Sequence, residues 1–389
     1  MEALIKSLMR DMKKEQILKY IYLLAVCVFM LEVILFDSCY RDIAGLHGVF
    51  VLMRLSSYGM ILVKLAWDLF SRKYSIRELL IYAAVGILLV LVAYFSGKKD
   101  YLIYWAFIVA GHDIDYRVII KAALGVHLLA LVLTIGGSLI GVIPNNINIR
   151  SDGTVREGLG FLFGGLIAHF VFYTVLLWIY CRKEVGTWIE FLLMLLLQCW
   201  VFSKTDTKAP FAFGIAALLG AAVLKLAQRQ GLNKQIEKAA GYASWLIIPV
   251  SVCGILLLTY FYDPSVSFFH KLNSLLTDRL RYGHDAWMQY GIPLFGQRIS
   301  WSVEKSSYNY VDSSYIHILL NYGVLMLGSV CVGFHCLCRK AAKNKSVFLL
   351  LCLAFVALHS MFDDQLLWLG SNGFLLCCSC FLSPSAKES

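Results

Sequence analysis

Residues 17–36, ILKYIYLLAVCVFMLEVILF, form an apolar run with only two charged side chains, Lys19 and Glu32. A bilayer core about 30 Å thick is crossed by roughly 20 apolar residues in an α-helix, so this run is long enough to span a membrane. Basic residues precede it and no small-residue cleavage site follows. We therefore expect the run to remain in the protein as a membrane anchor.

The whole chain has the same character. Of its 389 residues, 59% are hydrophobic and only 15% are charged, and the mean hydropathy is +0.71. Soluble domains are about 45–50% apolar and about 25% charged, so the sequence predicts a polytopic membrane protein. The chain has six prolines, no glycine- or serine-rich tract and no repeat of fixed period. We expect a single transmembrane domain over residues 1–389.

The expected fold class is all-α, with about twelve transmembrane helices by the length rule. The segments 99–112 and 346–361 are short, so a count of ten or eleven stays open. The predicted spans are 17–36, 43–66, 78–96, 99–112, 117–140, 158–181, 185–203, 208–227, 242–261, 314–338, 346–361 and 365–382.

The charges between these segments predict an orientation. Cytoplasmic loops are enriched in Lys and Arg, and most basic loops fall inside when the amino terminus is inside. Both termini then lie in the cytoplasm, and residues 262–313 form a large extracellular loop. Basic residues nevertheless remain on the outer side: Arg150, Arg156, Lys204, Lys208, Lys271, Arg279, Arg281, Arg298 and Lys305.

Two interpretations of these outer cations stay open. They are either solvated loop charges balanced by neighbouring acids, or they form an anion site at the membrane surface. Guanidinium and ammonium groups converge where a phosphate is held, which favours the second interpretation.

The predicted loop 262–313 is long enough to suggest a function, because ordered loops above about 12–15 residues usually have one. Its stretch KLNSLLTDRLRYG, residues 271–283, places four leucines on one side at helical spacing. We predict an amphipathic helix at the membrane interface. Its arginines, Arg279 and Arg281, would lie near phosphates or would simply extend towards lipid headgroups.

Three stretches of this region resemble a known family: LNSLLTDRLRYG (272–283), YGIPLFGQ (290–297) and YVDSSYIHILLNYG (310–323). Together they resemble the large-loop signature of the Wzy-type polysaccharide polymerases, above all those of Gram-positive capsule and exopolysaccharide clusters. These belong to the O-antigen polymerase/ligase family of membrane glycosyltransferases.

Weaker likeness comes from VREGLGF (155–161), FSKTDTKAPF (202–211) and FDDQLLWLGSNGFLL (362–376). The likeness covers roughly residue 156 to the end, and the first half matches only in hydropathy. The chain also departs from the family, since Phe-Leu-Phe at 161–163 stands where His-Pro-Asn is frequent, and lysines stand near 204–208 where an arginine is common.

The resemblance implies a GT-C-like fold and a polymerising reaction at the outer face of a bacterial plasma membrane. A growing glycan would pass from an undecaprenyl-pyrophosphate carrier onto a lipid-linked oligosaccharide repeat unit, giving capsular polysaccharide or exopolysaccharide. The expected partners are that lipid-linked oligosaccharide and membrane lipids, together with a flippase and a chain-length regulator. No cofactor, metal or nucleic acid is expected. A ligase of the same fold and a flippase or transporter remain alternatives.

This reaction needs cations and a base. Cations stabilise the charge that grows on the pyrophosphate leaving group, and a carboxylate or imidazole accepts the proton of the acceptor hydroxyl. Asp312 and His284 are the candidate bases, although Asp312 could instead be a helix N-cap and His284 a solvated histidine. The candidate pyrophosphate ligands are Arg279 and Arg281, supported by Arg156, Lys204 and Lys208.

Aromatic side chains near the loop are candidates for sugar contacts. Tyr310, Tyr315 and Trp301 would stack on sugar rings, or they would act as interfacial anchors of the kind common in membrane proteins. Asp363 and Asp364 are predicted to form a solvated outer turn or to contact substrate.

Ionisable residues inside the predicted spans need partners, because burying a charge in hydrocarbon is costly. Arg54 is the most exposed to this cost, and Glu32 is one candidate partner. For the remaining members we expect structural pairing more than catalysis: Lys64, His127, His169, Glu190, His317 and His359. The twelve cysteines show no paired CxxC spacing, so they indicate neither zinc nor disulfides.

Overall fold

The computed structural model describes residues 2–149, 153–183, 185–303 and 308–379, with side chains from residue 14 onward. Helices dominate it, which confirms the all-α expectation. The helices are α1 Glu2–Phe36, α2 Leu46–Phe70, α3 Ile76–Ser96, α4 Asp100–Ala110, α5 Tyr116–Leu139, α6 Gly164–Arg182, α7 Trp188–Thr205, α8 Lys208–Arg229, α9 Asn233–Tyr260, α10 Ser267–Leu275, α11 Arg279–Tyr290, α12 Ser314–Lys343 and α13 Val347–His359. Two 3-10 helices, Cys39–Asp42 and Gly373–Cys378, and a hairpin of β1 Ile147–Ile149 with β2 Val155–Glu157 complete the described elements.

Nine of the described helices are long and apolar enough to cross a membrane, namely α1, α2, α3, α5, α6, α7, α8, α9 and α12. Two more apolar helices, α4 and α13, are shorter. The chain is therefore a multi-pass membrane protein.

The predicted twelfth span, 365–382, does not form an α-helix in its described part. Residues 365–379 consist mainly of turns and the Gly373–Cys378 3-10 helix. This backbone is enclosed by protein, since Leu366, Phe374 and Leu376 are buried. The side-chain amide of Asn372 donates to the carbonyl of Leu366. Irregular backbone is tolerated at membrane depth where protein covers it and supplies hydrogen bonds.

Helix α6 lies at the centre of the bundle, in contact with α5, α7, α8 and α13. Of the residues in its apolar stretch, 89% are buried, against 22% for α2. A helix that is apolar on every side can be buried on every side. Because α6 is surrounded by other helices, its few polar side chains, such as His169, are also buried.

The ion pair expected for Arg54 is present. Its guanidinium lies 2.5 Å from Glu32 Oε1, and the Glu32 side chain is fully buried. On another part of α2 the buried Lys64 pairs with Asp68 and lies 2.9 Å from Asp113 Oδ1. Each of these charges thus has an opposite charge at contact distance, as burial in an apolar bundle requires.

We use the name loop end for one end of the bundle, where Ser38 pairs with Phe161 in an isolated β-bridge and the side chain of Arg298 lies against Gly97. The described connections that lie there are 37–45, 97–99, 140–149, 153–163, 206–207, 261–303, 308–313 and 360–372.

Helix α12 is broken at Gly323, whose φ of 86° and ψ of 171° are not helical. Residues 293–297 supply hydrogen bonds to the backbone groups that the break leaves without helical partners. Pro293 O accepts from Val324 N, 3.0 Å away, and Gln297 N donates to Asn321 O, also 3.0 Å away. The YGIPLFGQ stretch therefore serves as a cover for a broken membrane helix.

Candidate functional site

Residues 271–283 do not form the single amphipathic helix that the sequence predicts. Helix α10 ends at Leu275, and α11 begins at Arg279 after Thr277 and Asp278 with φ of 54° and 64°. The side chain of Asn273 fixes this turn, because its amide donates to Asp278 Oδ1 and its oxygen accepts from Arg281 N. The turn gives α11 a direction of its own.

Helix α11 packs against α9 and buries its small and apolar residues. Leu280, Gly283 and Ala286 are buried, and a Cβ added at Gly283 would lie 3.0 Å from the Thr259 side chain. This close contact fixes the rotation of α11 and so decides which way its polar side chains face.

The VDSSY stretch is joined to the turn after α13. Ser314 N donates to the carbonyls of Ser360 and Asp363, each 3.0 Å away. The hydroxyl of Ser314 donates to Asp363 O and accepts from Leu366 N. These bonds place Asp312 beside the acidic pair Asp363 and Asp364.

Asp312 is not the N-cap of α12. Ser313 has that role, and its hydroxyl accepts from Ile316 N. Asp312 pairs instead with Arg279, whose Nε lies 3.1 Å from Asp312 Oδ2. Burial raises the pKa of Asp312 above its ordinary value, although the Arg279 guanidinium acts in the opposite direction.

A buried hydrogen-bonded chain runs from Asp363 through His169 to His359. His169 Nε2 lies 2.8 Å from Asp363 Oδ2, and His169 Nδ1 lies 3.0 Å from His359 Nε2. The His359 ring stacks on Phe172 at 4.3 Å between ring centroids. Burial alone would raise the pKa of Asp363, but the charge and hydrogen bond of His169 outweigh it and hold this pKa below its usual range.

The pKa of Asp364 is shifted in the opposite direction to that of Asp363. Burial and the neighbouring Asp363 raise the pKa of Asp364 to about 7, although Tyr310 donates a hydrogen bond to it. Two adjacent carboxyls thus have their pKa values pushed apart, an arrangement that often accompanies acid and base roles.

We use the name carboxylate–histidine site for these side chains at the loop end: Arg279, Asp312, Asp363, Asp364, His169, His359 and Tyr310. The site offers one guanidinium and several groups that accept protons, and the side chains of Arg279 and Asp312 remain 21% and 27% exposed. These two side chains are therefore partly accessible, whereas His169, His359 and Asp363 are buried in the interior.

The ligand atoms of His169, His359 and Asp363 lie within 4.8 Å of one another, close enough to hold a metal ion. His169 already uses both ring nitrogens in contacts with the other two residues. Binding of an ion would require His169 to give up one of them.

Arg156, Lys204 and Lys208, which the sequence predicts as supporting pyrophosphate ligands, are not part of the carboxylate–histidine site. Arg156, on β2, donates to the carbonyl of Thr205 and to the hydroxyl of Thr207. Lys204 Nζ lies 3.0 Å from Glu157 Oε1, and Lys208 is exposed. Arg156 and Lys204 hold the hairpin against the turn between α7 and α8. Arg150 and Lys305 lie outside the described residues.

Arg281 and His284 also lie apart from Asp312. His284 Nδ1 lies 2.9 Å from the carbonyl of Thr259, which makes this nitrogen a donor and directs the ring towards α9. The Arg281 side chain is 46% exposed and lies 3.6 Å from Asp278 Oδ2.

The three predicted sugar-contacting aromatics have different surroundings. Tyr315 is 1% exposed, and its hydroxyl donates to Ala357 O, so we correct its role to core packing. Trp301 donates to Asn321 Oδ1 and is partly exposed. Tyr310 belongs to the carboxylate–histidine site.

The two histidines of the site were predicted to have structural roles. Their presence inside apolar helices was a valid signal, but their convergence on Asp363 was not visible, because α6 and α13 are far apart in the sequence. No protein-family model, curated protein or solved structure matches this chain. Its function is therefore argued from the side chains of the site.

Proposed function

We propose that the chain is a membrane glycosyltransferase that polymerises undecaprenyl-pyrophosphate-linked oligosaccharide repeat units at the outer face of a bacterial plasma membrane. The observation that carries this proposal is the Arg279–Asp312 pair, accessible at the loop end of a membrane bundle and backed by the Asp363–His169–His359 chain. A lipid-linked sugar pyrophosphate presents an anion and a polar glycan at this depth.

The reaction breaks the bond between the anomeric carbon of the donor glycan and its pyrophosphate oxygen. The acceptor hydroxyl oxygen forms the new bond to that carbon, and its proton passes to a base. The electron pair of the broken bond leaves with the pyrophosphate. Arg279 would stabilise this growing charge, and Asp312 would take the proton.

The ion pair gives the donor a way to activate the base. The charge of Arg279 lowers the pKa of Asp312. If the Arg279 guanidinium turns towards the pyrophosphate, Asp312 loses this effect and its pKa rises. A base works best when its pKa approaches the working pH. Binding of the donor would thus strengthen the base that the reaction needs.

Asp363 and His169 would act as positioning residues. Asp363 accepts from Ser314 at its backbone carbonyl and contacts His169 through its side chain. The backbone bonds hold the residues before α12 in register with the turn at 360–366, and Asp312 is part of that segment. The hydrogen-bonded chain of Asp363, His169 and His359 would hold Asp312 in place without touching the substrate.

The proposed orientation puts the loop end outside and both termini in the cytoplasm. It depends on the distribution of Lys and Arg among the connections. The proposed reaction at the outer leaflet requires the site to lie on that side.

The test is an assay of purified full-length protein in lipid nanodiscs with lipid-linked repeat units extracted from cells that lack the protein. Products that form a ladder on a gel support a polymerase. A single transfer to another acceptor would indicate a ligase, and translocation of the lipid without transfer would indicate a transporter. The Asp312→Asn variant is the control for chemistry at this site.

A further inference from the structure

The solvent-facing side of α11 carries a row of polar side chains. Arg281, Asp285 and Gln289 are four residues apart, so they share one helix face, and all three are exposed. Tyr308 and Asn309 lie opposite and complete a cavity of about 240 Å³ with them. We use the name α11 cavity for this space.

Arg281 cannot act with Arg279 on the same pyrophosphate without a rearrangement. The two residues are two positions apart in α11, so their side chains leave the helix roughly 200° apart. Arg279 points to Asp312, whereas the Arg281 guanidinium lies 4.9 Å from the centre of the Tyr282 ring. Arg281 lines the α11 cavity, where it also lies 3.6 Å from Asp278 Oδ2, and is not placed to bind the same leaving group as Arg279.

We propose that the α11 cavity binds a sugar ring of the glycan chain. This inference rests on the proposed function and specifies how the enzyme holds its substrate. Sugar hydroxyls both donate and accept hydrogen bonds, and the cavity supplies donors from Arg281, an acceptor from Asp285 and both from Gln289. The rings of Tyr282 and Tyr308, 4.9 Å apart, offer surfaces for the apolar faces of a pyranose.

The charge and polarity of the cavity disfavour two other ligand classes of a membrane enzyme. Asp285 places a carboxylate in the lining, which disfavours a phosphate. The mixture of polar groups disfavours an acyl or isoprenoid chain. Cavities for drug-sized ligands have about 300–1,000 Å³, so this smaller space suits a short part of an oligosaccharide.

The α11 cavity is adjacent to the reacting pair. Tyr308 lines the cavity and stands four residues before Asp312, which pairs with Arg279 at the start of the same helix that carries Arg281. A ring in the cavity would therefore lie beside the sugar at Arg279 and Asp312. The cavity would determine which repeat units are used, and the pair would carry out the transfer.

The experiment measures binding of the phosphate-free oligosaccharide released by mild acid from the lipid-linked repeat units. Saturation-transfer NMR with the full-length protein in nanodiscs gives the affinity. We expect Gln289→Ala and Asp285→Asn each to weaken binding up to about tenfold, since each removes a hydrogen-bonding partner. Lys271→Ala, an exposed change on α10 outside the cavity, should bind as the unchanged protein does.

A second measurement is the rate of polymerisation against substrate concentration. Gln289→Ala should raise the half-saturating concentration and leave the maximal rate within about twofold. Absence of oligosaccharide binding would overturn the assignment of the cavity, and so would an affinity of both Gln289→Ala and Asp285→Asn equal to that of the unchanged protein. Binding that depends on the cavity without a polymer ladder would count against the proposed polymerase alone, and a ladder with cavity-independent binding would count against the cavity alone.

Discussion

Arg279 Nε lies 3.1 Å from Asp312 Oδ2, so the first residue of α11 is paired with the residue that precedes the N-cap of α12. The guanidinium also donates to the Thr277 hydroxyl, 2.7 Å away. This arrangement connects the turn between α10 and α11 to the carboxylate–histidine site. It keeps a cation and a candidate base together at an accessible position.

Replacement of Asp312 by Asn should abolish transfer and leave the fold intact. Asn has nearly the same shape but cannot accept the acceptor proton, and loss of general-base catalysis costs about 10²–10⁴-fold in rate. Because Ser313 is the cap, α12 should not be disturbed. The measurement is the rate of ladder formation at equal protein level, with the exposed Asp263→Asn as control. A near-normal rate for Asp312→Asn would exclude Asp312 as the base, and His284→Ala would then be the variant to measure.

The two loop arginines should differ when each is replaced by Lys. Lysine keeps the charge but loses the planar fork of donors. Arg279→Lys should lower the maximal rate by about tenfold or more, whereas Arg281→Lys should mainly raise the half-saturating substrate concentration. Steady-state kinetics of both variants measures this contrast. If Arg279→Lys makes polymer at the full rate, the guanidinium is a headgroup anchor and does not hold pyrophosphate.

Gly323→Ala should destabilise the protein strongly. The φ of 86° and ψ of 171° at Gly323 belong to a region that is essentially restricted to glycine, at a cost of about 1–3 kcal/mol for other residues. An added Cβ would also lie 2.4 Å from Leu294 O. The apparent melting temperature in detergent should fall by several degrees. Gly328→Ala in the same helix, where a Cβ meets nothing within 4 Å, should change little, and equal effects of the two would contradict the role of the break.

Asp364 should make the stability depend on pH. Its pKa rises from about 4 when unfolded to about 7 in the folded protein, so its stabilising contribution is fully present below pH 4 and is lost as the pH rises to about 7. Melting temperatures of Asp364→Asn should therefore decline less between pH 4 and pH 7 than those of the unchanged protein. Parallel pH profiles for the two proteins would show that Asp364 titrates normally.

Labelling of engineered cysteines should reveal the orientation. In a cysteine-free background, Ser274→Cys on α10 should react with an impermeant thiol reagent in intact cells, because its side chain is exposed. Asn233→Cys, exposed at the start of α9, should react only after lysis. The reverse pattern would place the loop end in the cytoplasm.

Local features of the sequence were sufficient to predict most of the helices. Apolar runs of membrane length predict helices whatever the packing, because an isolated segment in lipid must satisfy its own backbone hydrogen bonds. Capping boxes mark the starts of α3 at Ser75 and α7 at Thr187. Even the partner of Arg54 could be inferred, because a buried charge requires an opposite charge nearby and Glu32 was available in the neighbouring helix.

The carboxylate–histidine site could not be predicted in the same way. In a membrane both the lipid-facing and the protein-facing sides of a helix are apolar, so hydropathy does not reveal which side meets another helix. The contact of His169 with His359 and the contact of Arg279 with Asp312 depend on how the helices pack. The break between α10 and α11 also depends on hydrogen bonds of Asn273 that no periodicity records.

The sequence by itself determined that this is a helical multi-pass membrane protein with a polar segment between α9 and α12, because these properties follow from local composition. Only the tertiary structure decided that Arg279 faces Asp312 and Arg281 faces the α11 cavity. The reason is that the rotation of α11 is fixed where Gly283 packs closely against Thr259 of α9, and a rotation is a property of two packed helices that neither one specifies alone.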